Sequence, residues 1–292
     1  MTLEQPQNNI ESKECFSSRI KLRFFRHDEK ENDPEKTDHN IELTPSGRQH
    51  AKAQASETNL SQSVAFGSPR RRTQETAGFI MAGQSEDING NESFEELKEK
   101  VDKGLGYGSK IGVDTKLDFN LEEGSEYVKE MLVFFEKGEL MKFMVEKSDE
   151  LAKETGDDKS STYSSMASSI ASIIKKYLGI APRWNELVKD ETKKYEHTLN
   201  RFFATHQSVQ ESFLAKVIEL TKGVEERDRF VSVIKNKGFD YAEGFETEIL
   251  TKDGEEPTIR ISYKKEGKTP DDTFEFDQNI SIELLETIID MK

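Results

Sequence analysis

Short apolar segments alternate along the chain with longer segments of helical character. Residues 19–25 alternate polar and apolar side chains and end on two aromatics, as a strand entering a sheet does, before the polar pair Arg26-His27. After a polar loop, Thr44-Pro45 has the sequence of an N-cap followed by proline at the first helical position, and an Ala-rich segment continues from there. The first unit is therefore predicted to be strand, loop and helix.

A second unit has the same order. Residues 64–66 predict a short buried strand. Ser68-Pro69 has the character of a cap and first turn, and residues 73–81 predict the helix that follows it.

A third unit lies in the C-terminal third of the chain. Residues 201–205 predict a strand that ends at His206. Ser208 and Glu211 have the spacing of a capping box, and the apolar period that follows predicts a helix over residues 213–220.

The alternation of strands and helices predicts the fold class. Because a parallel connection needs a crossover helix, the pattern favours an α/β fold, a three-layer sandwich with a mostly parallel central sheet and helices on both faces. Residues 247–251 and 258–264 flank Lys252-Asp253-Gly254, a hairpin signal that predicts an antiparallel pair at one edge.

Composition suggests the organisation of the chain. Residues 1–17 mix Gln, Asn, Glu and Ser with little apolar content and are interpreted as a disordered N-terminal tail. Residues 18–292 are predicted to form one domain. Between about 83 and 177 the composition shifts to Glu, Lys and Ser with helical stretches, which we interpret as a helical insertion over one end of the sheet.

Charge excludes two classes of partner. The chain has 42 basic and 57 acidic side chains, a formal net charge of −15, so nucleic acid or an anionic membrane surface is not expected as its partner. No apolar run reaches the ~20 residues of a membrane span, and the N-terminus does not have the pattern of a secretory signal. Together with a single cysteine, Cys15, these features predict a cytoplasmic protein without disulfides. Any anionic ligand would need a local basic pocket.

Basic residues follow the predicted strands at their carboxyl ends, where open α/β sheets place ligand sites. Besides Arg26-His27 and His206, the triplet Arg70-Arg71-Arg72 stands near the start of a predicted helix. The helix dipole disfavours cations there, and guanidinium forks beside free N–H groups suit a phosphate group. Taken alone, a solvated run of charges paired with nearby Glu explains the triplet equally well.

Four segments in this order resemble the histidine phosphatase superfamily, also called phosphoglycerate mutase-like. The matching segments are Phe24 to Lys30, Leu43 to Arg48, Ser68 to Ala77 and Phe203 to His206. The resemblance covers roughly residues 19 to 82 and 200 to 222.

The resemblance implies a fold and a chemistry. His27 matches the nucleophile, and Arg26, Arg72 and His206 match the phosphate pocket, so the implied activity is a phosphatase acting on a phosphomonoester through a phosphohistidine. The implied substrate is a phosphorylated small molecule or a phosphoprotein, and no metal or other cofactor is expected. The oligomeric state is left open.

The histidines outside the matching segments add no further site. His39, His50 and His197 are interpreted as surface or loop histidines, since the five histidines of the chain have no metal-ligand spacing.

Two departures from the family concern charge. The family usually has glycine after the nucleophilic histidine, whereas this chain has Asp28, whose carboxylate would repel phosphate unless it turns away or pairs with an arginine. Many relatives have an acid directly after the second histidine, where this chain has Gln207. We expect Asp118, at the end of a predicted strand over 113–118, to be the proton donor, and its competitors are Glu99, Glu122 and Glu123.

Two alternative functions remain open at this point. One is phosphoryl transfer of the phosphoglycerate mutase type, and the other is a catalytically impaired module that binds phosphate or a phosphoprotein.

Because successive helical residues are rotated by about 100°, we expect Arg72 to face the pocket and Arg70 and Arg71 to tolerate replacement. We also expect the insertion to control access without supplying phosphate ligands.

Overall fold

A computed structural model describes residues 17–105 and 108–291 of the chain. The predicted tail lies outside the described residues except for Ser17, where the first strand begins. The strands are β1 (Ser17–Arg26), β2 (Ser63–Gly67), β3 (Ile111–Val113), β4 (Thr198–Thr205), β5 (Gly244–Lys252), β6 (Thr258–Lys265) and β7 (Phe274–Ile280). The helices are α1 (Pro45–Ala53), α2 (Arg71–Ala82), α3 (Phe94–Asp102), α4 (Glu126–Glu136), α5 (Leu140–Phe143), α6 (Asp149–Thr155), α7 (Tyr163–Lys189), α8 (Val209–Lys222), α9 (Val224–Val233) and α10 (Ile282–Asp290).

The strands form one mixed sheet in the order β3-β2-β4-β1-β5-β6-β7. Strands β3, β2, β4 and β1 pair in parallel, and β5, β6 and β7 continue the sheet antiparallel to one another. The predicted α/β fold with a mostly parallel central sheet is confirmed. The predicted hairpin is present as β5 and β6, but it does not lie at the edge of the sheet, because the unpredicted strand β7 pairs with β6 and forms that edge.

The helices form a layer on each face of the central strands. Helix α2 packs against β2 and β4 on one face, with α1 and α3 beside it, and α7 and α8 pack against β1 on the other. Successive residues of a strand point to opposite faces, so Phe202 belongs to the core under α2 and Phe203 to the core under α7. Phe203 stacks on Phe24 with ring centroids 4.8 Å apart, and Phe24 stacks on Phe245 at 5.0 Å.

The range expected to be a helical insertion contributes to both layers and to the sheet. It supplies the edge strand β3, helix α3 next to α2, and the first half of α7, which packs against the sheet. Between β3 and α7 the chain forms helices α4 to α6 and a π-helical turn over Met144–Ser148. The domain boundaries drawn from the sequence stay a prediction.

Helix α1 begins as its sequence predicts. Thr44 is the N-cap and accepts a hydrogen bond from the Gly47 amide at 3.0 Å, with Pro45 at the first position. A Cβ on Gly47 would lie 2.4 Å from the Glu29 carbonyl oxygen. Glycine therefore allows α1 to pack directly against the segment that follows His27.

Two of the predicted helix starts are wrong in detail. Helix α2 begins at Arg71 with Arg70 as its N-cap, so Ser68-Pro69 precedes the helix and does not form its first turn. Ser208 is the N-cap of α8 at φ 77° but its side chain makes no capping bond. Glu211 instead accepts a hydrogen bond from the Phe239 amide at 2.8 Å, because the side chain is buried toward that loop.

Among the described residues, no helix has both the length and the apolar character needed to cross a membrane.

Candidate active site

The register of two central strands brings two histidines together. Arg26, the last residue of β1, lies opposite Thr205, the last residue of β4, and the two strands run in parallel. His27 and His206 follow directly, and their ring centroids are 5.4 Å apart. The His27 amide donates to the Thr205 carbonyl oxygen at 2.9 Å, which fixes the backbone at His27.

The tautomer of His27 follows from its backbone contact. Nδ1 lies 2.8 Å from the Asp28 carbonyl oxygen, and since a carbonyl can only accept, Nδ1 carries the proton and Nε2 keeps its lone pair. Burial lowers the pKa of His27 well below its usual value, and the nearby His206, Arg72 and Arg26 lower it further. The Asp28 carbonyl opposes this shift. His27 is therefore a neutral imidazole at neutral pH, the form that can attack phosphorus.

Asp28 turns its carboxylate away from the pocket. Its Oδ2 lies 2.6 Å from Nδ1 of His50, and its Oδ1 accepts from the Glu29 amide at 2.7 Å. The Asp28 amide donates to Thr76 Oγ1 at 3.0 Å. Of the two possibilities left by the sequence, the carboxylate turns away and does not pair with an arginine. His50, interpreted from the sequence as a surface or loop residue, holds Asp28 in place.

His206 is a buried neutral group with polar neighbours. Its Nε2 lies 2.8 Å from Ser68 Oγ and 3.4 Å from Asp118 Oδ1. Burial lowers its pKa to about 4, with Arg72 and Arg70 acting in the same direction and Asp118 opposing them.

Two residues of the arginine triplet point to the same place. Arg72 donates from Nη1 to Oδ1 of Asp38 at 3.0 Å and to its carbonyl oxygen at 2.8 Å, and Arg70 forms an ion pair with the same carboxylate. Arg71 does not line the cavity and pairs with Glu42 and Glu95. Arg72 faces the pocket as predicted, but Arg70 does so too, because it precedes the helix and the helical rotation does not constrain its side chain.

Arg26 is held by the loop that follows α9. Its Nη1 donates to the Phe239 carbonyl oxygen at 2.5 Å, and its guanidinium lies 4.7 Å from the ring centroid of Tyr241. The buried Nε atoms of Arg26 and Arg72 have no hydrogen-bond partner among the described residues. Two buried donors of this kind beside a neutral histidine suit an anionic ligand.

These side chains line a cavity of about 400 Å³ at the carboxyl ends of the parallel strands. Its lining combines charged and polar side chains with a set of apolar ones. The lining residues are Arg26, His27, Lys30, Asp38, Arg70, Arg72, Phe119, Leu121, Met131, Leu132, Phe135, Leu140, His206, Gln207 and Tyr241.

Asp118 lies beside this cavity, on a segment that differs from the predicted strand. It follows a single 3-10 turn after β3, and its Oδ1 accepts from Arg70 Nε at 3.0 Å. Burial raises the pKa of Asp118, but His206 and Arg70 outweigh it and bring the pKa to about 2. The carboxylate is therefore ionised in the free site. It lines an adjacent serine-rich cavity, and its competitors Glu99, Glu122 and Glu123 line neither cavity.

Sequence reasoning missed Asp38 and Lys30. Both side chains line the cavity, and Lys30 Nζ lies 3.7 Å from Asp38 Oδ1. Lys30 belongs to the first matching segment and could have been found there, whereas Asp38 stands in a polar loop among many acids and has no such signal. No group of three His, Cys, Asp or Glu side chains placed to hold a metal ion occurs within residues 17–105 and 108–291.

Residues 22–107 match the model of the histidine phosphatase superfamily (branch 1). The resemblance to the histidine phosphatase superfamily is confirmed. The matched range includes His27, Arg26 and Arg72, while His206 lies beyond it. No curated protein matches the chain.

Several solved structures of phosphatases are similar at low identity. A mycobacterial glucosyl-3-phosphoglycerate phosphatase is 13% identical, over 80% of this chain and 90% of that one, with a TM-score of 0.40. A phosphoserine phosphatase mutant from Entamoeba histolytica is 15% identical, over 82% and 94%, with a TM-score of 0.36. A phytase from Citrobacter braakii is 8% identical, over 94% and 97%, with a TM-score of 0.34. These likenesses are remote, and none assigns a substrate to this chain.

Proposed function

We propose that this chain is a metal-independent phosphatase that hydrolyses a phosphomonoester through a phosphohistidine at His27. The observation that carries the proposal is the free Nε2 lone pair of a neutral, buried imidazole beside His206 and unpartnered arginine donors. Phosphoryl transfer depends chiefly on positioning and on neutralising the charge of the phosphoryl oxygens, and these groups offer both.

In the first step Nε2 of His27 attacks phosphorus. The N–P bond forms, the bond from phosphorus to the ester oxygen breaks, and the leaving oxygen takes a proton. Arg26, Arg72 and His206 are the proposed ligands of the phosphoryl oxygens. The Asp28 carbonyl holds the Nδ1 proton and so stabilises the charge that develops on the ring.

In the second step water attacks the phosphohistidine. The N–P bond breaks, inorganic phosphate leaves, and His27 returns to its neutral form. The donor in the first step can act as base in this one, because the two proton transfers are the reverse of each other.

Asp118 is the proposed proton donor. With a pKa of about 2 it is ionised in the free site, so it needs a further negative charge nearby to become protonated. A phosphate dianion bound at Arg72 and His206 supplies that charge and weakens the pairing of Asp118 with its cations.

The two alternatives use the same pocket. An impaired binding module is suggested by Asp28 and by the absence of an obvious proton donor, and the first reason is weakened because the Asp28 carboxylate turns toward His50. A mutase would have to retain the phosphoryl group for a second acceptor. A cytoplasmic location likewise remains part of the proposal.

Hydrolysis of p-nitrophenyl phosphate in the presence of EDTA tests the proposal. We expect turnover in the wild type, turnover in His197→Ala, and none above background in His27→Ala. His197 is a matched control because it precedes β4 at the opposite end of the strand from His206. Full activity of His27→Ala, or inactivity of a folded wild type, would refute the proposal. Conversion of 3-phosphoglycerate to its isomer without net release of phosphate would favour the mutase.

A further inference from the structure

We propose that this site selects phosphomonoesters whose alcohol is apolar and uncharged. This inference rests on the proposed phosphatase function and adds the class of leaving group. Its basis is the apolar part of the cavity lining, which includes the exposed side chains of Leu121, Leu132 and Phe135.

The apolar wall comes from the helices that cover the sheet end. Phe119 and Leu121 precede α4, Met131, Leu132 and Phe135 lie on α4, and Leu140 begins α5. All six line the same cavity as His27 and Arg72.

The register of α4 shows that this wall is one face of the helix. Val128, Met131, Leu132 and Phe135 are spaced i, i+3, i+4 and i+7, the pattern of an apolar stripe. Val128 and Met131 are buried in the core, whereas Leu132 and Phe135 are 45% and 51% exposed. The stripe therefore continues from the core into the open cavity, where an apolar ligand group would remove it from water.

The charged side chains that line the cavity come from outside the segment 119–140. Arg70, Arg72 and Lys30 surround Asp38, and a bound phosphoryl group would share the same cations. Along the described lining, the segment 119–140 contributes no charged side chain to the cavity. A second anionic group on the substrate would find no cation on the apolar wall and would leave water without compensation.

A series of alkyl phosphates tests the inference without changing the acidity of the leaving group. With ethyl, butyl and hexyl phosphate, we expect kcat/KM to rise by up to about fourfold for each methylene group buried. 3-Phosphoglycerate, which carries a carboxylate, should have a lower kcat/KM than propyl phosphate.

Variants of α4 locate the effect. We expect Leu132→Ser and Phe135→Ser to lower the ratio of kcat/KM for hexyl phosphate to that for ethyl phosphate. Val133→Ser is the matched control, because Val133 is 43% exposed on the same helix but does not line the cavity. It should keep the ratio of the wild type.

The outcomes separate this inference from the proposed function. Hydrolysis of all esters with no dependence on chain length, a preference for 3-phosphoglycerate, or an equal loss of the ratio in Val133→Ser would overturn the apolar subsite and leave the phosphatase standing. A folded wild type that hydrolyses neither alkyl phosphates nor p-nitrophenyl phosphate would overturn the proposed function and this inference with it.

Discussion

Asp38 stands where it would compete with a phosphate bound as proposed. It stands on a 3-10 turn over Asp38–Asn40, and its carboxylate pairs with Arg72, Arg70 and Lys30. Burial raises the pKa of Asp38, but Arg72 and Arg70 outweigh it and lower the pKa overall, so the group is ionised at neutral pH. The replacement Asp38→Asn keeps the shape of the side chain and removes its charge.

The size of the effect follows from Coulomb's law. Because the Asp38 side chain is 42% exposed, the effective dielectric constant around it is closer to that of water than to that of a protein interior. At a separation of about 5 Å, the Asp38 carboxylate then repels a phosphate monoanion by about 1 kcal/mol and a phosphate dianion by about 2 kcal/mol. Removing that repulsion corresponds to about a 5- to 30-fold lower Ki.

Competitive inhibition by phosphate and vanadate measures this effect. With p-nitrophenyl phosphate as substrate, Asp38→Asn should lower both Ki values, and added salt should shrink the difference from the wild type. Asp33→Asn is the control, since Asp33 lies in the same loop but outside the cavity. Unchanged or higher Ki values in Asp38→Asn would refute the reasoning and would mean that the carboxylate holds Arg72 in place for the ligand.

Three further replacements test the site and its support. Arg72→Ala should lower kcat/KM by about 10²–10³-fold, whereas Arg71→Ala, which loses only contacts outside the cavity, should stay within a few-fold; equal losses would contradict the geometry. Asp118→Asn should slow alkyl phosphates far more than aryl phosphates, whose leaving groups need little protonation, and a uniform effect would remove Asp118 as donor. Burial raises the pKa of Glu211 to about 7, so the native state binds more protons than the unfolded state between about pH 4.5 and 7, and stability is lost as pH rises through that window. The free energy of unfolding, measured with urea, should fall in the wild type relative to Glu211→Gln by up to about 3 kcal/mol between pH 4.5 and pH 8. A difference in unfolding free energy that stays constant with pH would contradict this.

The sequence was sufficient for the parts of the site that follow directly from strand ends. Arg26-His27 and His206 were predicted to follow two strands, and parallel pairing of those strands with matched ends is enough to bring the two rings together. The Thr44-Pro45 cap was also predictable, because it depends on local bonds within one turn.

Features that depend on distant contacts were not predictable. Asp38 is one acid in a polar loop until the fold brings it to Arg72, thirty-four residues away in sequence. Glu211 has capping-box spacing, but tertiary burial directs its side chain to Phe239. The first half of α7 has the Ser and Lys content expected of a surface insertion, yet its apolar stripe packs against the sheet.

Detection of the covalent intermediate tests the central claim most directly. The wild type and His27→Ala are mixed with p-nitrophenyl phosphate, quenched in alkali within one turnover, digested and examined by mass spectrometry. We expect an acid-labile phosphoryl group on the peptide that carries His27 in the wild type, and none in the variant. A phosphoryl group on another residue, or an undiminished acid-labile signal in His27→Ala, would contradict it.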